Sequence, residues 1–174
     1  MIELVNIEKR FGNKRVLRNI NLNLQEGKVY GLFGPNGVGK TTLLKIMAGY
    51  NKKTSGEYKI NGLDFTYENK DHITFISDKE IFYGWMKIKD AVKYYKDFFT
   101  DFDEEKCLRL VRMMKLEADD KINVLSKGMK ARLKVALAIS RNAKLYLLDE
   151  PLGGLDPVSR KIILDTIKTL MNQN

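Results

Sequence analysis

Apolar and polar residues alternate from Asn19 to Leu24, with Ile20, Leu22 and Leu24 on one side and Asn19, Asn21 and Asn23 on the other. A period of two gives an extended segment one apolar and one polar face, so this stretch is predicted to be a half-buried strand. Lys28 to Phe33 is a short apolar run that meets Gly34-Pro35-Asn36-Gly37, and Lys40 to Ala48 spaces its leucines and methionine as a helix does until Gly49. The order predicted here is strand, glycine loop, helix, with a glycine where helices commonly stop. Glu57 to Ile60 reads as a strand entering an Asn61-Gly62 hairpin, and Ile73 to Ile76 as another short strand.

The middle of the chain changes to a helical pattern. Between Lys87 and about Asp119, Ala91, Tyr94, Tyr95 and Phe98 fall on one stripe, and Leu108, Val111 and Met114 or Lys115 on another. Both stripes are expected to face a core. Ser126 stands as a cap before a third helix, Lys127 to Arg141, in which Met129, Leu133 and Leu137 recur every fourth residue. Lys144 to Leu148 is an apolar strand running into Asp149-Glu150-Pro151, and a last helix extends from about Pro157 to Leu170. Helices interleaved with apolar strands imply an α/β domain with a mostly parallel sheet. We expect one domain over 1–174, with a core of about 1–79 and 136–174 and an inserted helical lobe of about 80–135.

Composition narrows the class. With 174 residues, 44% hydrophobic and 30% charged, the chain is of globular type and long enough for one core. The longest apolar run, Val135 to Ile139, is far short of the roughly 18 residues a membrane span requires, and Met1-Ile2-Glu3-Leu4 does not read as a leader. A soluble protein that stays where it is made is expected. The single cysteine, Cys107, excludes an intrachain disulfide and, without a Cys/His cluster, a thiolate metal site; a packed thiol in a reducing cytoplasm fits. The net charge of +9 is compatible with an anionic partner, but no basic run exceeds Lys14-Arg15 or Lys52-Lys53, so a solvated surface explains it equally well. The one histidine, His72, reads as a surface or strand-edge residue.

Two segments carry chemistry. Gly34-Pro35-Asn36-Gly37-Val38-Gly39-Lys40-Thr41 matches the phosphate loop G-x-x-x-x-G-K-[ST] in the strand-to-helix setting that loop requires. Its backbone N–H groups and the helix N-terminus suit phosphates, Lys40 suits the β and γ phosphates, and the Thr41 hydroxyl suits Mg²⁺. Asp149 and Glu150, delivered by an apolar strand, could be no more than a strand cap. Beside a phosphate loop they read as a carboxylate for the Mg²⁺ shell and a base for an attacking water.

Leu125-Ser126-Lys127-Gly128-Met129 before this acidic pair, and Gly153-Gly154-Leu155-Asp156-Pro157 after it, complete an order that resembles the ATP-binding cassette (ABC) ATPases over nearly the whole chain. The first segment is similar to that family's signature motif, the second to its D-loop, and Phe11 to its adenine-stacking aromatic. The resemblance implies a P-loop NTPase fold of the ABC type: a RecA-like core, an antiparallel N-terminal β part and an inserted helical lobe. It also implies ATP and Mg²⁺ as ligands. Phe11, residues Gly34 to Thr41, Thr42, Ser126, Gly128 and Asp156 would contact nucleotide; Thr41, Asp149 and Asp78 would serve the metal; Lys40 and Glu150 would be catalytic.

The partners implied are a transmembrane permease subunit and, with ATP bound, a second ABC ATPase subunit, like or unlike, with no nucleic acid. The place implied is cytoplasmic, peripheral on the inner face of the cell membrane. Ile81-Phe82-Tyr83-Gly84-Trp85-Met86 lies where the family presents its coupling surface, although aromatics there could equally be lobe core. The signature departs from Leu-Ser-Gly-Gly-Gln at Lys127 and Met129, Asp78 stands where glutamine is usual, and His72 does not match the switch histidine. The family continues past its D-loop helix with a strand that lies between the phosphate-loop strand and the Asp149 strand. A missing C-terminal portion, and weak or absent hydrolysis by this chain alone, are therefore expected. Two alternatives are a soluble ABC-type ATPase acting on nucleic acid or ribosomes, prompted by the charge, and a non-hydrolysing nucleotide sensor, prompted by the altered signature.

Overall fold

The computed structural model describes residues 1–77, 79 and 82–171, and its contacts divide the chain into two compact units, Met1–Ile73 and Thr74–Asn174. In the first unit β1 (Ile2–Phe11), β2 (Lys14–Leu24), β3 (Ser55–Ile60) and β4 (Leu63–Asp64) form an antiparallel sheet in the order β2-β1-β3-β4. The predicted alternating strand is the second half of β2, with Ile20, Leu22 and Leu24 paired to Ile7, Leu4 and Ile2. Asn61 and Gly62, both left-handed at φ 51° and 79°, join β3 to β4 by the two-residue turn that matches strand twist. Gly56 is required by close approach, since a Cβ there would stand 2.5 Å from the Asn6 carbonyl oxygen.

Helix α1 (Lys40–Met47) buries Leu43, Ile46 and Met47 and ends at Gly49, φ 70°. Tyr58 on β3 ties into the helix end by donating from its hydroxyl to the Met47 carbonyl at 2.8 Å, and its ring stacks on Phe65 at 4.6 Å. Burial raises the Tyr58 pKa.

The strand predicted over Lys28 to Phe33 is not found: this segment joins no ladder among the described residues, and Phe33 is 92% exposed. Apolar runs report a tendency to be buried, whereas a strand exists only through its neighbours. For the same reason, little of the parallel sheet expected from strand–helix alternation forms among the described residues. Only β5 (Ile73–Ile76) and β6 (Leu145–Leu148) pair, as a separate two-stranded sheet.

The second unit is mainly helical: α2 (Ile88–Phe98), α3 (Glu104–Met113), α4 (Lys127–Ile139) and α5 (Pro157–Met171). α4 packs against the other three around Ile88, Val92, Leu110, Leu133, Leu137 and Ile163. Each helix starts on a side-chain acceptor. The Asp90 carboxylate accepts the Lys87 N–H at 2.9 Å, Asp103 accepts that of Lys106 at 2.8 Å, and Ser126 Oγ accepts that of Met129 at 3.2 Å.

The buried face of α2 is Ile88, Ala91, Val92 and Tyr95; Tyr94 and Phe98, placed in the core stripe by sequence, are instead exposed and pack on each other at 4.5 Å. The core lies toward Val92, about one residue's rotation from the aromatic stripe. On α3 the stripe holds, with Val111 and Met114 buried; Lys115 leaves the helix at φ 56°. Cys107 is fully buried and burial pushes its thiol up to about 11, while His72 is exposed just before β5.

Candidate functional site

The phosphate-loop residues belong to the first unit. Gly37 and Gly39 are left-handed at φ 79° and 110°, and Gly39 is the N-cap of α1 without any side-chain cap. The last glycine is obligatory, because a Cβ at 39 would meet Leu17 Cδ2 at 2.8 Å and the Val16 carbonyl at 3.3 Å. No acidic residue stands in the first turn of α1, so no side-chain charge offsets the helix dipole where it meets the loop. Lys40 folds back over this loop and donates from Nζ to the carbonyls of Gly34 at 2.7 Å and Pro35 at 2.9 Å. Pro35, Asn36 and Val38 are exposed, while Thr41 and Thr42 are half-buried in the first helical turn. Phe11 closes β1 with half its surface open and the Lys9 ammonium 4.6 Å from its ring centre.

The acidic pair, the signature-like segment and the D-loop-like segment belong to the second unit. Asp149 follows β6, donates its N–H to the Ile76 carbonyl at 2.9 Å and is buried. Glu150 is a non-glycine residue held left-handed at φ 49°, a conformation that costs about 1 kcal/mol and fixes where its carboxylate leaves the chain. A turn closes behind it, from the Gly153 N–H to the Glu150 carbonyl at 3.0 Å.

The signature-like and D-loop-like segments interlock through two glycines. A Cβ on Gly128 would stand 2.3 Å from Ser159 Oγ and 3.0 Å from Asp156 Oδ2; one on Gly154, φ 63°, would stand 2.5 Å from Lys127 Nζ. Asp156 is the N-cap of α5: Oδ1 accepts the Ser159 N–H at 2.9 Å, and hydrogen bonds from Ser159 hold its carboxyl below the usual range. Ser126 is exposed at the start of α4.

Of the predicted site residues, Ser126, Gly128 and Asp156 are thus brought to one place, and Asp78 lies outside the described residues. Sequence reading missed Ser159, which carries no motif signal, and took Lys127 only as a departure from the usual glycine. In the aromatic segment, Tyr83 and Trp85 are 63% and 70% exposed with rings stacked at 6.1 Å, so these two are not lobe core; Met86 is, and Ile81 lies outside the described residues.

A glycine loop with a lysine closing on it at a helix N-terminus, and a buried aspartate at a strand end, define a P-loop α/β protein. A family model described as ABC transporter matches residues 17–153, and the chain belongs to that family. Lantibiotic transport ATP-binding protein SrtF of Streptococcus pyogenes is 33% identical over 99% of this chain and 76% of its own length. The ABC transporter ATP-binding protein YdbJ of Bacillus subtilis is 34% identical over 98% of this chain, which spans only 57% of that relative. Among solved structures, an ABC transporter ATP-binding protein from Pyrococcus furiosus superposes with a TM-score of 0.88 at 27% identity, covering 99% of this chain and 86% of that one. A dimeric ATP-binding cassette in a post-hydrolysis state, bound to ADP and Pi, gives 0.84 at 26% identity over 99% and 84%. The fold is accordingly that of the ABC cassette, with an antiparallel sheet in its N-terminal part.

Proposed function

We propose that this chain is the ATP-binding and hydrolysing subunit of a membrane transporter, energising translocation through a separate transmembrane permease subunit from the cytoplasmic face. The observation that carries this is the phosphate loop: a left-handed glycine N-cap, a helix N-terminus with no acidic residue in its first turn and a lysine already folded over the loop. Nucleotide phosphates would replace the Gly34 and Pro35 carbonyls as partners of Lys40, and Phe11 would stack on the adenine. Mg²⁺ fits the donor set, since the Thr41 hydroxyl and the Asp149 carboxylate are hard oxygen donors and Mg²⁺ takes one or two such groups besides phosphates. Bound there, it would neutralise charge on the β and γ phosphates.

Glu150 would take a proton from the attacking water as the water oxygen bonds to the γ-phosphorus and the bond to the β-bridging oxygen breaks, releasing ADP. Ser126, Gly128 and Asp156 would meet the nucleotide of a second cassette chain, which makes the working site composite. Residues of about 80–135 would be the lobe that carries Ser126, with the core formed by about 1–79 and 136–174.

Two variants of the full chain test this. Lys40→Ala should abolish binding of ATP with Mg²⁺, and Glu150→Gln should bind ATP and accumulate as an ATP-bound dimer on size exclusion. Turnover per chain independent of protein concentration, in a strict monomer, would overturn the composite site.

A further inference from the structure

Two Asn-Gly dipeptides stand in the chain, Asn36-Gly37 in the phosphate loop and Asn61-Gly62 in the turn from β3 to β4. Both are exposed, and a glycine after asparagine leaves the intervening backbone nitrogen unscreened by a side chain. What separates the two is the asparagine amide. β1 pairs antiparallel with β3, Ile2 opposite Ile60, and this carries Met1 onto the turn. The Met1 ammonium donates to Asn61 Oδ1 at 2.6 Å, while the Asn61 N–H donates to the Met1 carbonyl at 2.8 Å. Among the described residues, Asn36 has no cation on its amide oxygen and the Gly62 N–H donates to no acceptor. A cation on Oδ1 draws electrons from Cγ and sits where negative charge develops when a nucleophile adds there. Beyond the turn only two positions pair, Lys59 with Asp64 and Ile60 with Leu63, so little holds the Gly62 nitrogen away from Cγ.

We propose that Asn61-Gly62 is a self-modifying site, at which the Asn61 amide is exchanged for a carboxylate while the Met1 ammonium stabilises the oxyanion. The Gly62 nitrogen gives its proton to water and bonds to Asn61 Cγ, and the carbonyl electron pair moves onto Oδ1, beside the ammonium. The carbonyl re-forms as the Cγ–Nδ2 bond breaks; Nδ2 takes a proton from water and leaves as ammonia, and a five-membered succinimide remains. One water opens it. Cleavage of the new N–Cγ bond gives aspartate at 61, and cleavage at the main-chain carbonyl gives isoaspartate, with the main chain longer by one methylene. Nothing is oxidised or reduced, since the sum is amide and water to carboxylic acid and ammonia. The product carboxylate pairs with the Met1 ammonium, a stronger contact than the amide made. The isoaspartyl form also lengthens the two-residue turn that sets the register of β3 against β4.

The test incubates the full chain at neutral pH and follows each asparagine by peptide mapping with mass spectrometry, reading the gain of about 1 Da from amide to acid. In the folded chain Asn61 should convert at least about five-fold faster than Asn36, and the two rates should converge in urea, where the Met1 contact is lost. Adding two residues ahead of Met1 moves the ammonium away, and should slow Asn61 at least about three-fold while leaving Asn36, which reports any general change in the fold, as it was. Equal rates at the two asparagines in the folded chain would overturn the proposal. So would a preference for Asn61 that survives in urea, because sequence neighbours and not the fold would then set it. An unchanged Asn61 rate in the extended chain would remove the ammonium from the step and overturn it as well.

Discussion

Gly128→Ala sets two magnitudes of opposite sign against each other. Gly128 lies inside α4 without left-handed backbone, so alanine there should gain about 1 kcal/mol of helix propensity. The added methyl, however, would sit 2.3 Å from Ser159 Oγ and 3.0 Å from both Ser159 Cβ and Asp156 Oδ2, where ordinary contacts need more than 3.4 Å. Ser159 is 4% exposed and its N–H is held by Asp156, so neither atom is the free end of a flexible chain. Overpacking of this kind costs about 1–3 kcal/mol, and pushing Asp156 off the α5 N-terminus adds about 1 kcal/mol of lost cap. The clash should win, leaving the variant about 1–3 kcal/mol less stable, read as a lowered urea midpoint at unchanged slope. Ser159→Gly removes both serine atoms from the methyl's path, so the double variant should show a coupling of at least about 1 kcal/mol. A Gly128→Ala protein stabilised by about 1 kcal/mol would refute the reasoning, because propensity would then act with no clash to oppose it.

Three further outcomes follow from named contacts. Asp101→Ala should cost about 1–3 kcal/mol in urea unfolding, because it removes the carboxylate that accepts two bonds, at 2.9 and 3.1 Å, from Arg141, a guanidinium only 7% exposed. Cys107 keeps its proton in the folded chain up to a pKa of about 11, above the usual 9.0, so the stability it contributes is full below pH 9.0 and declines as pH rises toward 11. Cys107→Val should flatten that alkaline decline, and the native thiol should react with iodoacetamide at pH 8 at least about 100-fold more slowly than the unfolded one. Replacing Tyr83 and Trp85 by alanine should release the protein from the proposed permease subunit with nucleotide binding intact; unchanged co-purification would sink that surface as the docking site.

What could be read in advance was whatever depends on local chemistry. Asn61-Gly62 named its own turn, Ser126 its helix start, and the loop from Gly34 to Thr41 its lysine and glycines, because each depends on backbone angles a few residues apart. The α2 stripe was read about one residue off, since Tyr94 and Phe98 are as apolar as the residues that are buried and only tertiary packing chooses between them. Lys28 to Phe33 was misread for a stronger reason, as no pattern within six residues can say whether a neighbouring strand is there to pair with. Ser159 was invisible because its importance comes from a glycine on another helix.

The departures of the signature-like segment sort by what each position does in the fold. Ser126 acts through its hydroxyl, which accepts the Met129 N–H, so residue 129 contributes its backbone whatever its side chain. Methionine there is half-buried against the helical core, so an apolar side chain gains packing and the cap is unchanged. Gly128 has no such freedom, with Ser159 and Asp156 filling the space a Cβ would need. Residue 127 faces solvent and the bare backbone of Gly154, and it can take a long side chain without moving either helix. A segment read as Leu-Ser-Lys-Gly-Met therefore keeps the two residues on which its backbone geometry depends. It varies at one position where the side chain packs and at another where a charge can be added, so its altered spelling does not argue against a working site.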